Sequence, residues 1–411
     1  MKQLMRHLLC AVMLLAVAAL PARSHAAEYY KFCAQWGYTY SDQSLGEDYL
    51  TYTGSYGLQP AQRAWGAIQL DGKEIWSGYM DSAGCTPKVP GLSGYYRFWI
   101  TSAVQTTNGA YIWIFPNSTE QWRWFNVGEQ LPGIDIWGSG TRRWTMGVGD
   151  TVASAAAVAT LMAQKNDDRF IPGNVYKVYT EADKGDLYDR KTDAVYLTQD
   201  PYTQNWTAHL KYVIAHELGH DVQQHLFGNQ SAGYYAPDPT QELCRCDAVD
   251  YYDLSSHCLQ SREYIGTAQQ EGFAHFIAAD LFNRTSDNEA VFAYSKEVRQ
   301  QEGGPDLYPP VRVSAYNSTA TFHWMEAKGC AAKDMGVELD WLNFFYGIHN
   351  KGTYSMKDIR DVYRQACGGA NCSGQYAYWS TLQAAADSLY GASSAKAQEW
   401  KWWGDWEGVN W

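Results

Sequence analysis

"VIAHELGHDVQQH", residues 213–225, places His216 and His220 four positions apart with Glu217 between them. Residues four apart share one face of an α-helix, so two imidazoles there can reach one ion at about 2.0 to 2.1 Å. Glu217 follows the first histidine by one position, where its carboxylate meets water beside the ion rather than the ion itself, as a general base must. The competing reading is an amphipathic helix with two histidines on its polar face. Against it, "KYVIA" before the motif and Leu218-Gly219 within it surround the histidines with apolar and small residues. Imidazoles buried there without partners would be costly.

Two histidines leave a catalytic zinc one protein ligand short. The nearest candidate, His225, fails on spacing. The pattern H-E-x-x-H-x-x-G-x-x-H needs a glycine where Gln223 stands and a histidine where Leu226 stands. His225 therefore reads as a surface residue. Glu271 in "TAQQEGFAHFIAAD", residues 267–280, is the better third ligand. Thr267 and Gln270 form the T-x-x-Q of a capping box, which predicts a helix start there with Glu271 in or just past its first turn. Gly272 is small enough for this helix to approach the motif helix closely. A carboxylate pointing back from a second helix completes a His2Glu set with one position left for water.

With these residues in place the chain resembles the gluzincins, the metallopeptidases that include thermolysin and its aminopeptidase relatives. "HELGH" (216–220) matches their zinc helix, and "QEGFA" (270–274) looks like the "NEGFA" glutamate helix of the aminopeptidase branch. The order of helix, strands, zinc helix, glutamate helix and further helices from about 146 to 390 is also similar. The resemblance implies Zn2+ as cofactor, His216, His220 and Glu271 as its ligands, Glu217 as the base, and a peptide or protein substrate. The sequence departs from the pattern in several places. The interval from His220 to Glu271 is longer than usual and holds Cys244, Cys246 and Cys258. Gln270 replaces the usual Asn, and His275 stands where the thermolysin branch has an Asp supporting a zinc histidine. No G-x-M-E-N motif precedes the zinc helix, so the resemblance does not extend to aminopeptidase activity.

Residues 1–27 read as a secretory signal peptide, with Lys2 and Arg6, an apolar run from Leu8 to Leu20, and a small-residue ending at Ala26-Ala27. From Glu28 to about residue 145 the chain reads as short strands between turns, including "YYRFWITSA", "AYIWIFPN" and "QWRWFNVG", which predicts an antiparallel β-sandwich-like domain. After that the pattern changes. Asp150 can cap the Ala-rich helix "TVASAAAVATLMAQK", strands "NVYKVYT" and "AVYLT" follow, and the zinc helix begins near Thr207. Later helix candidates are "ELDWLNFFYGI", "SMKDIRDVYRQA" and "STLQAAADSLYG", ahead of a Trp-rich tail. The fold class is α+β, with a zincin-type domain over 146–411.

The chain has nine cysteines, of which Cys10 lies in the signal segment, leaving eight. An even number in an exported chain predicts disulfides. Cys33 pairs with Cys85 and Cys367 with Cys372, while Cys244, Cys246, Cys258 and Cys330 pair among themselves. The formal net charge of −12 argues against a nucleic-acid partner. Beyond the signal segment no apolar run is long enough for a membrane span.

Several residues admit two readings. His275, one turn after Glu271, either supports or replaces a ligand, or is a helix histidine that meets a polar neighbour. Asp221 either orients a zinc ligand or is a solvated helix charge. Tyr308, Tyr316 and His323 are candidate donors to the oxyanion of a tetrahedral intermediate. Trp122 and Trp124 on one strand face suit glycan contact, although such alternation is also how sandwich interiors are built. Together these features predict a secreted or, in a bacterium, periplasmic zinc metallopeptidase. The alternative is an extracellular adhesion or carbohydrate-binding protein with a catalytically quiet zincin domain.

Overall fold

The computed structural model describes residues 29–38, 57–117, 124–132, 140–146, 151–165, 168–181, 187–198, 211–228, 262–282, 335–369, 372 and 377–410. The signal segment, Trp122, Tyr308, Tyr316, His323, Cys244, Cys246, Cys258 and Cys330 lie outside these residues, as does the side chain of Trp124. The described structure is mixed α and β, consistent with the α+β class.

Strands β1 (Tyr29–Tyr38), β2 (Gly57–Pro60) and β5 (Val89–Pro90) form one sheet, with β9 (Gly140–Met146) parallel to β1. A larger eight-stranded sheet contains β3 (Ala64–Leu70), β4 (Lys73–Tyr79), β6 (Ser93–Gln105), β7 (Tyr111–Phe115) and β8 (Trp124–Pro132). Alternating burial along β6 sends Tyr96, Phe98 and Ile100 inward. There they meet the facing sheet: Tyr30 packs edge-on to Tyr96 at 5.2 Å, and Phe32 lies 5.8 Å from Phe98. The Cys33–Cys85 disulfide lies in this region. Described pairings up to residue 146 are antiparallel except for β1 with β9.

The eight-stranded sheet continues beyond residue 145. β10 (Val175–Glu181) lies parallel to β7, β12 (Ala194–Thr198) is parallel to β10, and β11 (Leu187–Asp189) closes the edge antiparallel. The change of sequence pattern near residue 145 thus marks the start of helix α1 (Thr151–Gln164) while the sheet runs on. α1 contacts strands of both sheets. Its buried Ala153, Ala155, Ala156, Ala157 and Ala159 permit close approach, and Trp36 Nε1 donates to Thr160 Oγ1 at 3.2 Å.

α1 packs against α2 (Lys211–Phe227), which packs against α3 (Ile265–Phe282). The short strands β13 (Arg262–Tyr264) and β14 (Met335–Val337) pair antiparallel and lead directly into α3 and α4 (Glu338–Tyr346). This ribbon fixes the starts of the two helices beside each other. α4 continues as a π-helix, Gly347–Lys351. Then come α5 (Met356–Ala366), started by a Ser355/Asp358 capping box, α6 (Trp379–Tyr390) and α7 (Ala395–Glu407). A disulfide joins Cys367 to Cys372. No helix among the described residues is long and apolar enough to cross a membrane.

Candidate metal centre

α3 is buried along almost its whole length, yet it carries Gln269, Gln270, His275 and Asp280. Buried polar groups persist only where they find partners. Gln269 Nε2 donates to Ala377 O at 2.7 Å, and Gln270 Oε1 accepts from Arg190. Asp280 Oδ2 meets Arg169 Nη2 at 2.6 Å, with Lys165 Nζ at 3.2 Å from its other oxygen. Burial alone would raise the Asp280 pKa, but Arg169 and Lys165 hold it down at about 2.

Glu271 faces α2. Glu271 Oε2 lies 3.2 Å from His216 Nε2 and 3.1 Å from His220 Nε2, and the two histidine nitrogens are 3.2 Å apart. Ligand atoms around one tetrahedral ion at about 2.0 to 2.2 Å lie roughly 3.3 to 3.6 Å from one another. The triangle matches that to within a few tenths of an ångström. Glu217 is buried on the same helix, 8% exposed.

The helix approach that builds this triangle differs from the one expected. A Cβ on Gly219 would lie 2.9 Å from Ala274 Cα, so Gly219 of the motif helix is the residue that lets α2 and α3 close. Gly272 faces α4 instead, where a Cβ would lie 2.4 Å from Trp341 Cβ and 2.7 Å from Glu338 O. α3 also starts earlier than the T-x-x-Q pattern predicts. It leaves the β13–β14 ribbon at Ile265, which puts Thr267 and Gln270 inside the helix and Glu271 in its second turn.

His275 lies behind the triangle. Its Nδ1 is 3.1 Å from His216 Nδ1, and its Nε2 is 3.3 Å from Glu338 Oε2. Burial, reinforced by His216, pushes the His275 pKa down to about 4 and keeps the ring neutral near pH 7. His216, Glu271 and His275 also lie close enough to be considered as a metal-holding group. His216, however, turns opposite ring nitrogens to Glu271 and to His275, so one ion facing its Nε2 is met by Glu271 and His220.

Asp221 and His225 differ from both readings offered for them. Asp221 is fully buried and faces His225, whose Nδ1 is 3.0 Å from Asp221 Oδ1. Burial pushes Asp221 up to about 6 against the pull of His225. His225 is only partly exposed. It lies against Tyr176 at 4.6 Å, and its Nε2 is 3.5 Å from Asp193 Oδ2. Although burial would lower its pKa, the Asp221 and Asp193 carboxylates raise it. The two carboxylates clamp opposite sides of the ring and tie the end of α2 to the β11–β12 hairpin. One ligand atom from each of Asp193, Asp221 and His225 also lies within 4.8 Å of the others, a spacing that could hold an ion.

Sequence spacing alone could not have found Glu338. It lies far along the chain, and the β13–β14 pairing together with the close approach of α4 at Gly272 brings it to His275. Compared with known proteins, the chain matches no family model and none of the curated proteins.

Proposed function

We propose that the chain is an exported zinc metallopeptidase that hydrolyses peptide bonds in peptide or protein substrates. The observation that carries this reading is the triangle of His216 Nε2, His220 Nε2 and Glu271 Oε2, with edges of 3.1 to 3.2 Å, and the buried Glu217 on the helix that holds both histidines. Two imidazole nitrogens and one carboxylate oxygen are a donor set that suits catalytic zinc and leaves a position for water. When bound, zinc supplies Lewis-acid chemistry, polarising a carbonyl and acidifying water.

The protein's own groups do the rest. His216, His220 and Glu271 would hold the ion, and the Gly219–Ala274 contact sets the distance between the two helices that carry them. Glu217 accepts the proton of the attacking water and returns it to the leaving amine. A binding-only metal site would have no use for that carboxylate. Export is supported by the signal-like first 27 residues and by disulfides, which persist in oxidising compartments.

Glu217→Gln and His216→Ala test the reading side by side. Gln keeps the shape of the side chain but cannot take the proton, so zinc content should stay at the parent level while peptide turnover falls by about 10⁴-fold or more. His216→Ala should lose metal and activity together. A Gln variant that retains most of the parent's turnover would remove Glu217 from the mechanism.

A further inference from the structure

We infer that Asp193, Asp221 and His225 form a second divalent-cation site, of the Mn2+ type, that ties the end of α2 to the β11–β12 hairpin. The site shares no residue with the triangle of His216, His220 and Glu271, and it does not rest on the catalytic reading of that triangle.

Asp221 is fully buried, and neither of its side-chain oxygens has a hydrogen-bond partner. His225 Nδ1 lies 3.0 Å from Asp221 Oδ1, but its hydrogen bond runs to the backbone carbonyl oxygen of Asp221, also 3.0 Å away. A carbonyl only accepts, so the ring proton sits on Nδ1, and a neutral ring then carries its lone pair on Nε2. An imidazole held by a backbone carbonyl on one nitrogen and free on the other is the arrangement found in metal-ligating histidines. A buried carboxylate that accepts no hydrogen bond is costly, and a cation beside it removes that cost.

The other donors are placed to match. Asp193 Oδ2 lies 3.5 Å from His225 Nε2. Neighbouring ligands of a six-coordinate ion with bonds of about 2.0 to 2.6 Å are roughly 2.8 to 3.7 Å apart, and opposite ligands roughly 4.0 to 5.2 Å. One atom from each of the three residues falls within 4.8 Å of the others, inside that span. Tyr188 donates to Asp193 Oδ1 at 2.6 Å, which leaves Oδ2 for the ion. Two carboxylates balance the charge of a divalent cation. Two oxygens and one imidazole nitrogen, with water to complete the shell, suit Mn2+ better than Ca2+ or Mg2+, which prefer oxygen alone. The Asp193 side chain is 48% exposed, which gives the ion a way in and lets it exchange with solvent.

The test titrates Mn2+ into the full chain after zinc loading and dialysis, reads free Mn2+ by its electron paramagnetic resonance signal, and follows denaturant unfolding with and without the ion. The parent should bind one Mn2+ and raise its denaturant midpoint when the ion is added. Asp193→Asn keeps the shape of a half-exposed side chain but removes a charged ligand, and His225→Gln removes the imidazole. Each should weaken Mn2+ binding at least 10-fold and abolish the midpoint shift, since even the partners behind a ligand are worth about 10- to 100-fold. His216→Ala, which dismantles the triangle, should retain the Mn2+-dependent shift. A parent that binds no Mn2+, leaving the three residues as an ion-paired clamp only, would overturn the inference. So would Mn2+ binding that is unchanged in Asp193→Asn or His225→Gln, or that His216→Ala removes. Should His225→Gln not fold, Asp193→Asn decides.

Discussion

Gly219→Ala is a small change whose effect the structure gives with a sign. Gly219 sits between His216 and His220 on α2, and a Cβ there would lie 2.9 Å from Ala274 Cα, 3.1 Å from Ala274 O and 3.2 Å from Ile277 Cβ. Carbon atoms in contact sit about 3.5 to 4.0 Å apart, so the helices must part by roughly 0.6 to 1.1 Å. Two of the three obstructing atoms are backbone and cannot rotate away. Ala274 is three residues after Glu271, so the movement carries Glu271 away from both histidines. Metal–ligand distances tolerate only about 0.2 Å. The glutamate side chain can follow part of the way, and zinc affinity should fall about 10- to 100-fold, or roughly 1.4 to 2.7 kcal/mol.

Fold stability moves less. Alanine in a helix gains up to about 1 kcal/mol over glycine, while overpacking costs about 1 to 3 kcal/mol, leaving a net loss of roughly 0 to 2 kcal/mol. Chelator competition for zinc, and denaturant unfolding of the metal-free protein, read the two effects separately. If the variant holds zinc like the parent and is more stable by about 1 kcal/mol, the value for a helix glycine with nothing beside it, the helix approach described here is wrong.

Three further predictions concern stability. The Asp280 pKa lies at about 2 in the fold against 3.8 as its ordinary value, because Arg169 and Lys165 outweigh burial. A depressed carboxylate stabilises the fold above its unfolded pKa and loses that contribution as pH falls, here from about pH 4 to about pH 2. About 2 kcal/mol should disappear across that window in the parent and not in Asp280→Asn, as followed by denaturant unfolding at stepped pH. At neutral pH the same variant removes the carboxylate that meets the fully buried Arg169 at 2.6 Å and should be destabilised by up to about 3 to 5 kcal/mol. The Cys33–Cys85 disulfide spans a sequence separation of 52, and Cys367–Cys372 one of 5. The chain-entropy argument assigns them about 4 and about 2 kcal/mol, so paired Cys→Ala variants should rank in that order by denaturant midpoint.

The parts of the site legible in sequence are those governed by local period. The four-residue spacing of His216 and His220 fixes one helix face, and "EGFAHFIAAD" is apolar enough to be a buried helix, so the triangle follows from two helices and their contact. Strand positions were legible for the same reason: alternation places β6 and β7 within a residue or two of their predicted bounds. Pairings were not. The parallel placement of β10 beside β7 and of β9 beside β1 depends on connections that no window of sequence contains. Gly219 and Gly272 both read as small residues, and which neighbour each admits is decided by helix rotation about the core. For His275 the sequence leaves open a group that supports or replaces a ligand and a helix histidine meeting a polar neighbour; its neighbours are His216 and Glu338, the latter on the helix that follows β14. Helix α7 was hidden because its tryptophans fall on several faces and give no single apolar stripe, so only Ser394, whose side chain accepts from Ala397 N, marks its start.

The central claim, a catalytic zinc held by His216, His220 and Glu271, is tested most directly by metal analysis of the purified chain together with digestion of a mixed peptide library with and without a chelator. The account predicts one zinc per chain and cleavage that the chelator abolishes and added zinc restores. A chain without zinc, or cleavage indifferent to the chelator, would contradict it, and a zinc-loaded chain that cleaves nothing across the library would hand the lead to the binding-protein reading.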